Sequence, residues 1–223
     1  MTLNDLKIGR RLTLGFAAVL LLMVVMTATG FLRLKATQEA MAAGVEYANK
    51  EKLANAWFQG AQLNATRAVA IVKARGAGEL DSYFEPMTKA TIEELNEIQK
   101  TLEATIVNEP GKALVVETAE KRKAFLELRK KVVDLQRAGD VAAAESLLKQ
   151  GMLPASEAFL SSIRKLAKYQ SDLTEANLAS ANRQVANSEL LLLGLLMAGV
   201  LMGVVMGYMI TRSITLPIHE AVS

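Results

Sequence analysis

The chain has 223 residues, no cysteine, 51% hydrophobic but only 5% aromatic residues, and a net charge of +3. Aliphatic richness with few aromatics favours long helices over a sheet protein, and the lack of Cys excludes disulfides, thiolate chemistry and Cys-based zinc sites. A single histidine, His219, leaves almost nothing for a His-dependent catalytic or metal site, and the charge is too small to argue for nucleic acid; no enzyme, cofactor or metal is expected.

Residues 1–11 read as a short leader that carries Lys7, Arg10 and Arg11. From Leu12 to Leu32 there follow 21 residues without a charge, closed by Arg33. A helix rises about 1.5 Å per residue, so the run covers roughly 30 Å, the thickness of a bilayer's hydrocarbon core. Residues 12–32 are therefore expected to be a first transmembrane helix. The competing reading is a cleaved signal peptide, but the run is too long for one and Ala28-Thr29-Gly30 is a poor cleavage site.

Residues 33–189 contain 22 Lys/Arg and 21 Asp/Glu, the balance of a solvated surface. Breakers divide them into stretches near 33–75, 79–107, 112–137 and 154–189, with a short helix expected at 141–150 after an Asp140 cap. Pro154 suits the first turn of the last stretch. Apolar residues recur at helical spacings, as in Phe125, Leu128, Val132 and Leu135 or Phe159, Ile163 and Leu166. Short connections make successive helices antiparallel neighbours. The expected fold class is all-α, an up-down-up-down four-helix bundle between two transmembrane helices.

The second charge-free run, residues 190–211, has 22 residues between Glu189 and Arg212. Gly199, Gly203 and Gly207 repeat every fourth position along it, a ridge that lets a neighbouring helix approach closely, as within a dimer. Lys7, Arg10 and Arg11 before the first run and Arg212 after the second place both termini in the cytoplasm, and the bundle outside.

Three segments carry a family resemblance. Residues Met1 to Leu12, the link from Ala138-Gly139-Asp140 to Pro154, and Thr211-Arg212-Ser213-Ile214-Thr215-Leu216-Pro217-Ile218 are similar to parts of bacterial methyl-accepting chemotaxis receptors with a four-helix-bundle sensor. The last looks like the opening of a HAMP domain, so 212–223 is expected to be the start of one that Ser223 cuts short. The resemblance implies an inner-membrane receptor with a periplasmic sensor, a homodimer or higher homo-oligomer, and a downstream chemotaxis kinase and adaptor reached through parts beyond Ser223. Sensor histidine kinases and diguanylate cyclases use the same input architecture and are the alternative; an adaptor that senses no small molecule is a third. Amino-acid receptors of this class carry three arginines on the first helix, where this chain reads Gln62, Thr66-Arg67 and Ile71. It is more similar to relatives that sense organic acids such as malate and citrate.

Arg67 is the first ligand-binding candidate, because it falls on an apolar stripe with Leu53, Trp57, Gly60, Leu63, Ala70 and Ala74. A guanidinium there needs an anion, either a ligand or an internal partner such as Glu94, Glu120 or Glu127. Arg129 lies about 12 Å from the end of its helix, as Arg67 does, and Thr91 about 18 Å. Arg122 and Phe125 share Arg129's face. Arg67, Thr91, Arg122, Phe125 and Arg129 would together suit a small di- or tricarboxylic acid, since Arg grips carboxylates bidentately. Alternatively Arg122 and Arg129, in a run with Lys121, Lys123, Lys130 and Lys131, coat a solvated face. Ser162, Lys165 and Tyr169 could close the site.

Overall fold

The computed structural model describes residues 8–74 and 78–222. Leader residues 1–7, the Gly76-Ala77 break and Ser223 lie outside them. The described chain is helical almost throughout: α1 (Ile8–Lys73), α2 (Gly78–Thr105), α3 (Glu109–Arg137), α4 (Val141–Leu147), a π-helical turn (Leu148–Met152) and α5 (Leu153–Val222). The chain forms two compact units, Met1–Ala42 with Leu178–Ser223, and Ala43–Asn177. Helices α1 and α5 contribute to both.

The first unit holds both charge-free runs, and their large side chains face outward: Leu21 and Leu190 are each 70% exposed, Leu201 68%. A row of aliphatic side chains in water forgoes about 25 cal/mol for every Å² it could bury, and a contiguous patch of this kind marks a surface meant for another phase. The two helices are long and apolar enough to cross a membrane. Two of their hydroxyls are satisfied within the helix, Thr13 donating to the Gly9 carbonyl at 2.9 Å and Thr27 to that of Met23 at 2.8 Å, as suits hydrocarbon surroundings. On the glycine ridge, Gly199 faces the first run: a Cβ there would come within 2.7 Å of Leu22 Cδ2. Gly203 and Gly207 have open space.

The second unit is the bundle. Asn108 caps α3, its Oδ1 accepting the Gly111 N–H at 2.8 Å and the Tyr169 hydroxyl at 2.8 Å, so one side chain joins the α2–α3 connection to α5. Helix α3 ends in a Schellman arrangement: Gly139 adopts φ 81°, the Gly139 N–H reaches Gln136 O and the Asp140 N–H reaches Leu135 O. Asp140 then caps α4 through the Ala143 N–H at 3.1 Å.

The expected separation of 141–150 from 154–189 does not occur. Helix α4 stops at Leu147 and the π-helical turn leads straight into α5. Neither Gly151 nor Pro154 breaks the path: Gly151 lies within the π turn, and Pro154 falls in the first turn of α5, as expected, where the lack of an N–H is tolerated. Pro86, unnoticed as a helix residue from sequence, sits inside α2 with its side chain exposed.

The core centres on Trp57 and Phe159, whose rings meet edge-on at 6.2 Å, and on Phe125, stacked on Phe159 at 5.8 Å. These three rings tie α1, α5 and α3 together. Helix α1 turns an alanine face inward, with Ala54, Ala61, Ala65 and Ala68 buried around Trp57. Leu95, Ile98 and Leu102 of α2 and Ile163 and Leu166 of α5 complete the packing. The apolar stripe expected through Gly60, Leu63 and Arg67 is thus displaced by about one residue: Leu63 is 47% exposed and Arg67 sits at the edge of the core. Small side chains let α1 approach its neighbours closely, as at Gly60, where a Cβ would come within 2.8 Å of Leu95 Cδ2. Size, which drew the stripe toward Leu63, is therefore not what packs here.

Candidate functional site

The five residues expected to form one site fall into distinct settings. Arg67 and Thr91 do meet. One guanidinium nitrogen of Arg67, Nη1, donates to Thr91 Oγ1 at 3.0 Å, to Asn64 Oδ1 at 2.9 Å and to the Met87 carbonyl at 3.1 Å. Thr91 in turn donates to the Met87 carbonyl at 2.9 Å. The partners are neutral oxygens; neither Glu94, Glu120 nor Glu127 is among them. Arg67 therefore ties α1 to α2 through neutral hydrogen bonds, without the carboxylate that a core-facing position would require.

Arg122 corrects the solvated-face alternative. It is 8% exposed, while Lys121, Lys123, Lys130 and Lys131 around it are exposed. Its guanidinium donates to Asn96 Oδ1 at 2.7 Å and to Gln99 Oε1, which locks α3 onto α2. Burial pushes its pKa below the usual arginine value, and the nearby Glu103 carboxylate partly offsets this. Phe125 is 2% exposed and stacked in the aromatic core, so it cannot wall an open pocket.

Arg129 is the residue left with unfilled capacity. It borders a groove of about 480 Å³ between α2 and α3, near the end of the bundle where α4 and the π turn lie. Ile71, Ile92 and Val133 give that groove an apolar lining; Asp81, Glu85, Glu93 and Asp134 contribute acids, and Lys89, Lys130 and Arg137 bases. Arg129 Nε is buried without a hydrogen-bond partner among the described residues. Desolvation lowers the Arg129 pKa; Asp81 opposes this and Arg137 reinforces it. Across the groove's mouth the Arg137 Nε–H donates to Asp81 Oδ2 at 2.6 Å, which raises the Arg137 pKa.

Thr88, which the sequence reading missed, is the second unfilled group. It is 4% exposed, lines the same groove, and its hydroxyl has no partner among the described residues. The available signal was its place seven residues before Leu95 and fourteen before Leu102, in register with two core leucines.

Ser162, Lys165 and Tyr169 do not join this region. Ser162 is buried and donates to the Phe159 carbonyl at 2.7 Å, Lys165 pairs with Glu117 at 3.2 Å, and Tyr169 holds the α3 cap at the bundle's other end.

Residues 78–185 match the family model of a four-helix bundle sensory module for signal transduction. The match takes in α2, α3, α4, the π turn and the bundle portion of α5, and thus both walls of the groove. A comparison with curated proteins finds no match. Residues 78–185 thus carry a four-helix-bundle sensory module of the methyl-accepting-chemotaxis type, a signal-transduction module, in a chain that also has two helices long and apolar enough to cross a membrane.

Proposed function

We propose that the chain is the input region of a two-span chemoreceptor of the bacterial inner membrane, working as a homodimer or higher homo-oligomer. Its bundle faces the periplasm, both termini face the cytoplasm, and a small carboxylate binds in the half of the bundle that holds Arg67 and Arg129. The basic residues Arg10, Arg11 and Arg212 at the ends of the apolar runs support that orientation. The observation that carries the reading is the unbroken helix α5, which contains the sensory module's last core residues and then the second apolar run. A ligand that repacks α5 against α1–α3 acts on the same helix that crosses the membrane. The segment from Thr211 to Ile218 is then a HAMP entry that conveys the shift to a chemotaxis kinase.

Such a ligand biases the two signalling states only by the difference in its affinity for them. Calorimetric titration of the full chain in lipid nanodiscs with acetate, butyrate, succinate, malate and citrate tests the ligand class. Saturable binding of at least one acid is expected. Heat of dilution alone from all five would contradict a carboxylate sensor.

A further inference from the structure

The α2–α3 groove has a charge balance that selects among carboxylates. Two donors beside it are unspent: the Thr88 hydroxyl, on a residue 4% exposed, and Arg129 Nε. A carboxylate accepts hydrogen bonds from both kinds of donor and neutralises the guanidinium. Because both atoms are closed off from solvent, the groove in its present form leaves them unsatisfied. An acid that parts α2 from α3 far enough to reach both donors would satisfy them, and would thereby favour the parted helices over the present arrangement.

The rest of the lining limits what else such an acid can carry. Asp81, Glu85, Glu93 and Asp134 border the same space; Arg137 holds Asp81 at 2.6 Å and reaches Glu85 at 3.9 Å. With Arg129 and the Asp81–Arg137 pair set aside, three acids on the lining (Glu85, Glu93, Asp134) outnumber two bases (Lys89, Lys130), and Ile71, Ile92 and Val133 are its apolar surface. A second or third carboxylate on the ligand would enter a lining where acids outnumber the free bases, whereas an aliphatic or ammonium-bearing body would meet the apolar lining or a carboxylate. The volume of about 480 Å³ suits a small metabolite.

We infer that the α2–α3 groove is the seat of the ligand and that it takes a small monocarboxylate, with Thr88 and Arg129 on the carboxylate and a neutral or cationic body along Ile71, Ile92 and Val133. This rests on the carboxylate-sensor reading and narrows it away from the di- and tricarboxylates that the family resemblance implies.

Three four-carbon probes separate the possibilities: butyrate, 4-aminobutyrate and succinate, which differ only at the far end. The full chain in nanodiscs is titrated with each at constant ionic strength, alongside citrate, for the native protein and for Thr88→Val, Arg129→Gln and Arg67→Gln. Butyrate or 4-aminobutyrate should bind at least tenfold more tightly than succinate. Thr88→Val and Arg129→Gln should each weaken that binding tenfold or more, and Arg67→Gln less than threefold. Thr88→Val has a second readout: it removes an unpaired hydroxyl from a buried position, so the ligand-free melting temperature should hold or rise while the ligand-induced rise is lost. That readout stands even if Arg129→Gln fails to fold. Succinate or citrate binding best, or full binding in Thr88→Val, would overturn the groove and leave a carboxylate sensor with its site elsewhere. Binding of none of the four acids would overturn the groove, and heat of dilution alone from acetate and malate as well would overturn the sensor reading with it.

Discussion

Replacing Trp57 by alanine should destabilise the bundle by about 3–5 kcal/mol, the usual cost of removing a large buried aromatic. Trp57 is fully buried and touches Phe159 edge-on at 6.2 Å, and through Phe159 it reaches Phe125, so the cavity would open where three helices meet. The alanine face of α1 around it has no long side chains to collapse into the space. Trp57→Phe should cost far less. The indole Nε1–H is buried without an acceptor among the described residues, and leaving such a donor unpaired costs about 1–3 kcal/mol; phenylalanine removes that penalty while keeping most of the ring. Urea unfolding followed by far-ultraviolet circular dichroism measures both variants. Equal losses for the two would show that volume alone is not what Trp57 supplies.

A charge in the second apolar run should be nearly as damaging, but to insertion rather than to folding of the bundle. Leu201 is 68% exposed near the middle of residues 190–211. Arginine at the centre of a membrane helix costs about 2.5–3.5 kcal/mol on insertion scales. Leu201→Arg should therefore shift a large share of the chain from the carbonate-resistant membrane fraction to the soluble or aggregated one. Ala176→Arg, at an exposed position of α5 within the bundle unit, should leave that partition unchanged. If both variants partition like the native chain, the run is not in lipid.

The helices and the ends of α3 were legible in the sequence because each is set by local chemistry. Asn108, Pro110 and Gly111 start α3, and Gly139 and Asp140 end it, through contacts that span only a few residues. The apolar runs were legible for the same reason: their length alone matches a bilayer. The core face of α1 was not, because alanine is ambiguous. It packs or faces solvent according to how closely a neighbouring helix comes, and that depends on Gly60, Leu95 and Thr91 together. The π turn escaped notice because Gly151 and Pro154 signal a break equally well when the chain stays helical.

The candidate site divides along the same line. Arg129 could be picked out as an arginine near the helix end, and Arg67 with Thr91 as a pair at matching depth. That Arg67 spends its hydrogen bonds on neutral oxygens, while Arg129 Nε and the Thr88 hydroxyl keep theirs, follows from how α1, α2 and α3 are rotated against one another. Hydrophobic periodicity fixes such rotations only to within a residue. The same shift of one position separates exposed Lys121 from buried Arg122, with its Asn96 and Gln99 acceptors.

The proposed topology puts the bundle on one side of a membrane and both chain ends on the other. The absence of cysteine makes labelling at introduced single cysteines clean. Glu97→Cys, at an exposed position of α2, and Thr2→Cys in the leader are compared in spheroplasts with a membrane-impermeant maleimide. The introduced thiol at position 97 should be modified in intact spheroplasts, and the one at position 2 only after the membrane is permeabilised. Modification of position 97 only after permeabilisation, or of both positions before it, would contradict a two-span receptor with an external sensor.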